Sequence, residues 1–493
     1  AVGHQALDAS TTGGGNTGLG ANALTSNTSG VRNTAIGQSA LSSNTTADFS
    51  VAVGYLALKE NTTGTSNVAV GSGSLQSNQT GIHNTAVGRS AMASNTGNYN
   101  TAVGERALFE NTSGSNNAAF GRRALYENTT GQQNTAVGYQ ALQKNTTSDN
   151  NTAIGYLTLK ENTTGANNVA VGSGALDANT TGGSNVAVGF DAFGANTTGS
   201  NNTAIGAAAL DANTTASNNT AVGQNALSNC STGDSNVAVG MGAGTSLTTG
   251  SSLVAVGRDS AFNTTTGIGN TALGRSSLYS NQTGNYNIAI GQSSLQNNTA
   301  SNNVAVGFES LQANTTGNNC TAVGMSALKA NTTGTNNSAL GKDALKQNTT
   351  GYFNTGLGHH AIQANTTGDQ NVAVGTYSLK NNTTANNNTA VGYNSLLSNT
   401  TGTQGVAVGS SALTANTTGE NNTAVGYLAM TTTTTGDNNT GIGQGALRYN
   451  QTADNNTAVG KDALRSNTTG TNNAALGKDA LKLNTTGGSN TAL

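Results

Sequence analysis

Histidine and cysteine are the residues of this chain best suited to metal binding or nucleophilic chemistry, and their placement favours neither. The four histidines are His4, His83, His359 and His360, and the only adjacent pair lies at a polar position whose residue type varies freely along the chain. A zinc site needs three or four ligands that converge in space. We therefore expect no metal site, no cofactor and no catalytic residues.

Two glycine-rich stretches superficially suggest a phosphate-binding loop. They are Gly71-Ser72-Gly73 and the segment 240–244, but no helical pattern follows either of them and neither completes the fingerprint. The calcium-binding nonapeptide pattern also fails, because aspartate is sparse and occupies no regular position. The sequence therefore does not predict an enzyme.

An Asn-x-Thr/Ser tripeptide recurs along the chain and has two interpretations. It is the acceptor sequence for N-linked glycosylation, and asparagines stacked at one position can also form a ladder of side-chain amides. We favour the ladder because neighbouring acceptors would lie only about 4.8 Å apart, too close for a glycan on each. Sugar on Asn or Thr is the alternative. The asparagines concerned include Asn61, Asn111, Asn128, Asn162, Asn179, Asn196 and Asn213.

These tripeptides belong to a repeat that organises the whole chain. A glycine after a short apolar run recurs 29 times from Gly3 to Gly477, in steps of 17 residues except for two steps of 16, Gly88 to Gly104 and Gly291 to Gly307. Helical hairpin repeats need about 33 residues or more, whereas a 17-residue unit suffices for one β-solenoid coil with two short strands and two turns. We predict an all-β fold, a parallel β-solenoid (β-roll) of about 29 coils that forms one continuous domain over residues 1–493.

Positions are numbered from the recurrent glycine as zero. Position −1 is Val, Ile, Leu or Phe, −2 is nearly always Ala and −3 is usually Thr or Val, which predicts a short strand buried on both faces. Leu at +4 should be the main core residue, while the variable positions +1, +2, +5 and +6 should face solvent. Asn at +7 and the Thr-Thr-Gly after it are typical of a turn. The invariant glycine predicts a bend with positive φ or a close backbone approach.

Aromatic residues recur at +1 and are candidates for binding sugar or another surface polymer. Exposed single tyrosines are also common on proteins that bind nothing there. The residues are Tyr55, Tyr139, Tyr156, Phe190, Phe308, Tyr393 and Tyr427.

The repeat is least regular between Gly223 and Gly274. Three successive coils there carry Cys230, Leu247 and Thr264 at +7. We expect a local bulge, bend or weak point, with a binding site as the alternative. The second cysteine, Cys320, lies about five coils away from Cys230, or roughly 24 Å at 4.8 Å per coil, so the two should not form a disulfide.

The composition of the chain limits the kinds of partner that we expect for it. Hydrophobic residues make up 34% and charged residues 8% of the chain, and the formal net charge is −2 without any run of Lys or Arg. Nucleic acid is therefore an unexpected partner, and no apolar stretch is long enough to cross a membrane. Ala1-Val2-Gly3 already lies inside a repeat, so we expect the chain to be part of a longer protein.

The stretches Asn-Thr-Ala-Val-Gly-Tyr-Gln-Ala-Leu (134–142) and Asn-Ile-Ala-Ile-Gly-Gln-Ser-Ser-Leu (287–295) resemble the head repeats of YadA-like trimeric autotransporter adhesins. They are similar also to the repeat shafts of phage and giant-virus tail fibres. The resemblance covers essentially the whole chain, although the unit here is longer by its Asn-Thr-Thr-Gly arm. It implies a left-handed parallel β-roll in a homotrimer, displayed on the surface of a cell or virion.

One feature of the residues bears on self-association independently. Positions −2 and +3 are small in nearly every coil and almost never carry Lys, Glu or Arg. If they lie opposite the core, they form a second surface that packing against identical chains would bury.

The function expected from these observations is a non-enzymatic, extracellular fibre or stalk of an adhesin, tail fibre or surface filament, about 140 Å long at 4.8 Å per coil. Partners would be copies of the same chain, with surface glycans or a host receptor as further candidates. The rival is an ice-binding or carbohydrate-binding repeat surface, which would use the Thr columns at +8 and +9 or the aromatic residues at +1. The Thr columns fit ice less well because they are consecutive rather than alternating.

Overall fold

The computed structural model describes residues 1–493, which form β-strands and turns without an α-helix. No helical segment has the length and apolarity needed to cross a membrane. Two compact units are present, Ala1–Thr249 and Gly250–Leu493. The boundary between them falls inside the interval where the repeat is least regular.

The first unit is a parallel β-solenoid in which each coil contributes one three-residue strand and the strands pair in register. Thr101 pairs with Ala118, Ala102 with Ala119 and Val103 with Phe120. Its strands are β1 (Thr17–Leu19), β2 (Thr34–Ile36), β3 (Val51–Val53), β4 (Val68–Val70), β5 (Thr85–Val87), β6 (Thr101–Val103), β7 (Ala118–Phe120), β8 (Thr135–Val137), β9 (Thr152–Ile154), β10 (Val169–Val171), β11 (Val186–Val188), β12 (Thr203–Ile205), β13 (Thr220–Val222) and β14 (Val237–Val239).

The second unit has the same architecture. Its strands are β15 (Val254–Val256), β16 (Thr271–Leu273), β17 (Ile288–Ile290), β18 (Val304–Val306), β19 (Thr321–Val323), β20 (Ser338–Leu340), β21 (Thr355–Leu357), β22 (Val372–Val374), β23 (Thr389–Val391), β24 (Val406–Val408), β25 (Thr423–Val425), β26 (Thr440–Ile442), β27 (Thr457–Val459), β28 (Ala474–Leu476) and β29 (Thr491–Ala492). The predicted parallel β-solenoid is thus confirmed.

The prediction of two strands per coil was wrong, because the segment after the glycine does not have β geometry. Gly104 has a φ of 136°, and Arg106 and Leu108 have φ values of 55° and 53°. Left-handed residues at +2 and +4 fold this segment into successive turns rather than an extended strand. Coil-to-coil bonding continues without a strand, since the Leu108 N–H donates to the Ala124 carbonyl at 2.9 Å.

The invariant glycine has the positive φ predicted for it. Its φ lies between 124° and 144° in every coil, a region that is essentially restricted to glycine. The next coil also approaches closely, because a Cβ added to Gly206 would lie 2.6 Å from the Gly223 carbonyl oxygen. Both the bend and the close approach therefore require glycine here.

The core is thin and is filled from both sides of each coil. Leu at +4 is fully buried, as predicted, for example at Leu108 and Leu142. Ala at −2 is buried too and points toward these leucines. Where Gly356 replaces that Ala, an added Cβ would lie 3.4 Å from Cγ of Leu345 in the preceding coil. Only a small side chain fits there because Leu already fills the space.

Two predictions about the strand faces were therefore wrong. The strand is not buried on both faces, since −1 and −3 are partly or largely exposed while −2 is buried. The small residues at −2 and +3 also do not form a second outer surface, because Ala102 and Ala107 lie inside the core. The outward face of the strand is the one formed by −1 and −3.

Candidate functional site

The asparagines at +7 form an amide ladder inside each unit. Asn179 Nδ2 donates to Asn162 Oδ1 at 2.8 Å and to the Gly182 carbonyl at 3.0 Å. Asn196 Nδ2 continues the chain of bonds by donating to Asn179 Oδ1 at 2.7 Å. The seven asparagines predicted to form the ladder all have completely buried side chains: Asn61, Asn111, Asn128, Asn162, Asn179, Asn196 and Asn213. Asn213 does not join the ladder, because its Nδ2 has no hydrogen-bond partner.

A second asparagine column, at position −4, was not predicted from the sequence. Asn100 Oδ1 accepts a hydrogen bond from the Asn117 backbone N–H at 2.9 Å, and Asn117 Nδ2 donates to the Gly131 carbonyl at 2.9 Å. The same carbonyl also accepts from Asn128 Nδ2 at 3.0 Å. The two columns therefore meet at one acceptor in each coil. The signal was present in the sequence, because Asn precedes the strand in most repeats.

The ladder at +7 is interrupted at both 16-residue coils. Each of these coils lacks one residue of the Asn-Thr-Thr-Gly arm, reading Asn95-Thr96-Gly97 and Asn298-Thr299-Ala300. Asn95 Nδ2 donates only to the Gly97 carbonyl at 3.0 Å, and the Oδ1 atoms of Asn78 and Asn281 in the preceding coils have no hydrogen-bond partner. Loss of one arm residue thus breaks one rung but leaves the strand register intact.

The two threonines after the asparagine play different parts. Thr180 Oγ1 at +8 donates to the Thr197 carbonyl at 2.9 Å, and this bond recurs in nearly every coil, as at Thr112 and Thr163. The +9 hydroxyl group makes no such bond and its side chain is exposed in every coil that has one. The +8 hydroxyl group therefore joins neighbouring coils, whereas the +9 hydroxyl group makes no hydrogen bond within the chain.

The aromatic residues at +1 are mostly isolated from one another. Only Tyr139 and Tyr156 lie in adjacent coils, and their rings stack with centroids 5.5 Å apart and planes inclined by 13°. One face of each ring is therefore occupied by the other, which reduces the area on which a sugar ring could stack. The other five, Tyr55, Phe190, Phe308, Tyr393 and Tyr427, are exposed, and the Tyr393 ring also lies edge-on to the Tyr377 ring at 6.3 Å.

His359 and His360 lie on a surface cluster with aromatic and charged neighbours. The His360 ring stacks on Tyr377 at 5.4 Å, and its Nδ1 lies 3.9 Å from Asp343 Oδ2. Burial lowers the pKa of His360, and the neighbouring His359 lowers it further. No group of three or more His, Cys, Asp or Glu side chains is arranged to hold a metal ion.

Stacking of coils brings three aspartates together that are distant in sequence. A Cβ added to Gly194 would lie 3.0 Å from Asp211 Oδ1 and 3.7 Å from Asp177 Oδ1. Burial raises the pKa of both carboxyl groups, and the charge of Asp191 raises each pKa further. When these carboxyl groups are ionised, their like charges repel one another across three neighbouring coils.

Both cysteines are buried and unpaired, as expected from their separation. Cys230 replaces Asn in the +7 column and its Sγ donates to the Gly233 carbonyl at 3.3 Å. Cys320 replaces Asn at −4 and donates to the Gly334 carbonyl at 3.3 Å. Burial raises the pKa of the Cys230 thiol to about 11, so it is protonated at neutral pH.

The strand face, formed by positions −1 and −3, is an exposed surface without charged side chains. Side chains at −1 are aliphatic or aromatic in every coil, and those at −3 are Thr, Val, Ile, Ala or Ser, so no charge interrupts either column. Val103 is 36% exposed and Phe120 is 40% exposed. The −1 column is thus a line of partly exposed apolar side chains, while Thr is the commonest residue in the −3 column.

Comparisons with known proteins add no family to these observations. No protein-family model matches the chain, and a search of curated proteins finds no match. The geometry of the columns therefore carries the functional argument.

Proposed function

We propose that the chain is a structural, non-enzymatic shaft, a segment of an extracellular fibre on a cell or virion that holds other parts of its protein away from the surface. Copies of the chain associate through the strand face, as a homotrimer of left-handed β-rolls. The repeat resembles adhesin heads and tail-fibre shafts, and that resemblance supports the same assignment.

The observation that carries this proposal is the charge-free face formed by positions −1 and −3. Burial of apolar area stabilises by about 25 cal/mol per Å². The partly exposed Val, Ile, Leu and Phe side chains at −1, and the Val and Ile side chains that alternate with threonines at −3, would therefore gain stability if they were covered. Identical chains supply identical columns, and homo-oligomers commonly use such self-complementary patches. The positions +1, +2, +5, +6 and +11 carry nearly all the charges instead, which keeps the remaining surface soluble.

A structural role is also favoured by how the backbone is used. In each unit the coils bond to their neighbours at the strand, in the turns and through two asparagine columns. In such a stack each coil contacts only its neighbours, and the stability of the array is approximately the sum of these contacts. With about 4.8 Å per coil, each unit alone should be roughly 60–70 Å long.

The proposal is tested by placing lysine on the strand face. The double variant Val103→Lys with Val137→Lys would bury two unpaired charges in an interface between chains, so sedimentation velocity should show dissociation to single 48.7 kDa chains. The matched control is Gln132→Lys with Ala166→Lys at position +11, which should keep the wild-type mass. Wild-type chains that sediment as monomers, or compact particles in electron micrographs, would refute the assignment.

A second candidate function is favoured by the same face. Its outward residues alternate along each strand, as in Thr101 and Val103 or Thr152 and Ile154, and a flat array of alternating Thr and aliphatic side chains suits adsorption to an ordered solid such as ice. The consecutive Thr columns first considered for this are less suitable, because the +8 hydroxyl group is already bonded. Thermal hysteresis, a gap between the freezing and melting points of a solution of the purified chain, would favour this candidate. The absence of such a gap would exclude it.

A further inference from the structure

Position +9 is exposed in every coil that has it and is restricted to Thr or Ser. It occurs in the 27 coils of full length, where it is Thr in 25 and Ser in two, Ser29 and Ser113. The other strongly exposed columns, such as +1, accept Tyr, Gln, Ser, Arg, Glu, His, Lys and Met. Packing does not restrict the residue type at an exposed position whose side chain makes no contact. The restriction of +9 to Thr and Ser therefore needs another explanation.

The neighbouring column shows that the fold does not impose this restriction. The +8 hydroxyl group donates to the next coil, as from Thr163 Oγ1 to the Thr180 carbonyl at 3.0 Å, yet +8 is replaced by Gln at Gln79, Gln282 and Gln451. The +9 hydroxyl group donates to no protein acceptor, yet it is never replaced by a residue without one. Retention is thus stricter where the fold makes no use of the hydroxyl group.

N-linked glycosylation does not explain the restriction either. Thr at +9 completes an Asn-x-Thr acceptor only where Asn occupies +7. Five coils have another residue at +7, and all five keep Thr at +9. These threonines are Thr12, Thr232, Thr249, Thr266 and Thr435. The hydroxyl group is therefore retained for its own sake.

The residues around the column indicate the chemistry. Thr and Ser share a nucleophilic hydroxyl group, and the absence of Val at +9 shows that the methyl group is not what is kept. No Lys or Arg occurs at +8 to +11 in any coil, while +11 carries acids such as Asp149 and Asp437. Phosphate groups about 4.8 Å apart would repel one another and these acids without a compensating cation. A neutral sugar carries no such penalty.

We propose that threonines of the +9 column are O-linked glycosylation sites, with sugar in some coils and not in all, because neighbouring sites lie only about 4.8 Å apart. A transferase would use a nucleotide-activated sugar as donor. The Thr Oγ attacks the anomeric carbon, the new C–O bond replaces the bond from that carbon to the phosphate oxygen, the nucleotide leaves with its phosphate, and the hydroxyl proton passes to a base of the transferase. The sugars would line one edge of the coil stack, whatever the chain does as a fibre.

The test is site mapping on the chain purified from the cells that make it. Its intact mass should exceed the mass of the sequence by whole sugar residues, and electron-transfer fragmentation should place them at +9, including one or more of Thr232, Thr249 and Thr266. An intact mass equal to that of the sequence would overturn the proposal. So would sugar confined to +8 or to Asn at +7, or phosphate in place of sugar.

A transfer assay adds matched variants. Unmodified chain is incubated with extract of the source cells and labelled nucleotide sugars. Thr→Val at +9 in three coils, Thr147, Thr164 and Thr181, should lose label at those coils, whereas Thr→Ser should keep it. The control is Thr→Val at +8, in Thr146, Thr163 and Thr180. It should keep the label, and hydrogen exchange checks that its coils remain folded. Equal labelling of the +9 Val variant and wild type would refute the assignment.

Discussion

Single side chains in this protein divide into those that hold neighbouring coils together and those that face solvent, often at adjacent positions. Asn179 is buried and joins three coils through its amide, Thr180 bonds to the next coil through its hydroxyl group, and Thr181 is exposed. The consequences of removing each side chain should therefore differ sharply within three residues.

Replacement of Asn179 by Ala should cost about 1–3 kcal/mol, because the Asn162 Oδ1 and the Asn196 Nδ2 lose a buried partner. Hydrogen exchange should accelerate in the flanking coils and remain normal several coils away, since repeats contact only their neighbours. Thr181→Ala is the control and should leave exchange within the wild-type range. An equal effect of the two changes would contradict the role given to the ladder.

The coil is the element that places these side chains, and stacking of coils also creates contacts that no single coil predicts. Asp177 and Asp211 lie on either side of Gly194, and the charge of Asp191, in the coil between them, acts on both. Because burial raises the pKa of Asp177 and Asp211, the folded chain binds their protons more tightly than the unfolded chain does. Their contribution to stability is therefore greatest below the ordinary pKa of 3.8 and declines as pH rises through the raised pKa.

Replacement of Asp191 by a neutral residue should remove the repulsion on Asp177 and Asp211 and so stabilise these coils at neutral pH. In Asp191→Asn, amides of the coils between residues 172 and 211 should exchange more slowly at neutral pH than in the wild type, and the difference should disappear at acidic pH where the carboxyl groups are protonated. Exchange rates corrected for intrinsic pH dependence measure this effect. Asp149→Asn, outside the cluster, is the control. Slower exchange at acidic pH alone would contradict the sign.

The whole molecule is an array in which length and register matter more than any one coil. The parallel ladder pairs equal positions, and a slip of one residue would exchange the buried −2 side chain for the exposed −1 and −3 side chains. The two natural 16-residue coils avoid that slip, because their missing residue belongs to the arm and not to the strand.

Excision of one whole coil should accordingly be tolerated. Deletion of residues 172–188 joins Val171 to Gly189 and preserves every column, so the thermal midpoint should change by only a few degrees. Deletion of 172–187 removes one residue fewer and leaves Val188 between Val171 and Gly189, which displaces the strand and should cost several times more. Calorimetry of the two deletions measures the difference. Equal loss in both would show that register is not controlled by the strand.

Much of the fold could be predicted from periodicity alone. The 17-residue step, the absence of Pro and the Leu at +4 specified a parallel solenoid with a leucine-lined core, because a repeated pattern of buried and exposed residues permits few stacks. The amide ladder at +7 was also foreseeable, since a stacked column places each Asn on the next. Free cysteines followed from the spacing of coils.

The direction of each strand face was decided only by the tertiary structure. Sequence alternation shows that Ala at −2 lies opposite Val at −1, but it does not say which of them points inward. Left-handed backbone at +2 and +4, which local propensity would not assign to Leu, folds the second half of the coil inward so that Leu fills the core and leaves room for Ala alone. The strand face of positions −1 and −3 is thereby turned outward, and this is the face that we propose for self-association, not the small residues at −2 and +3.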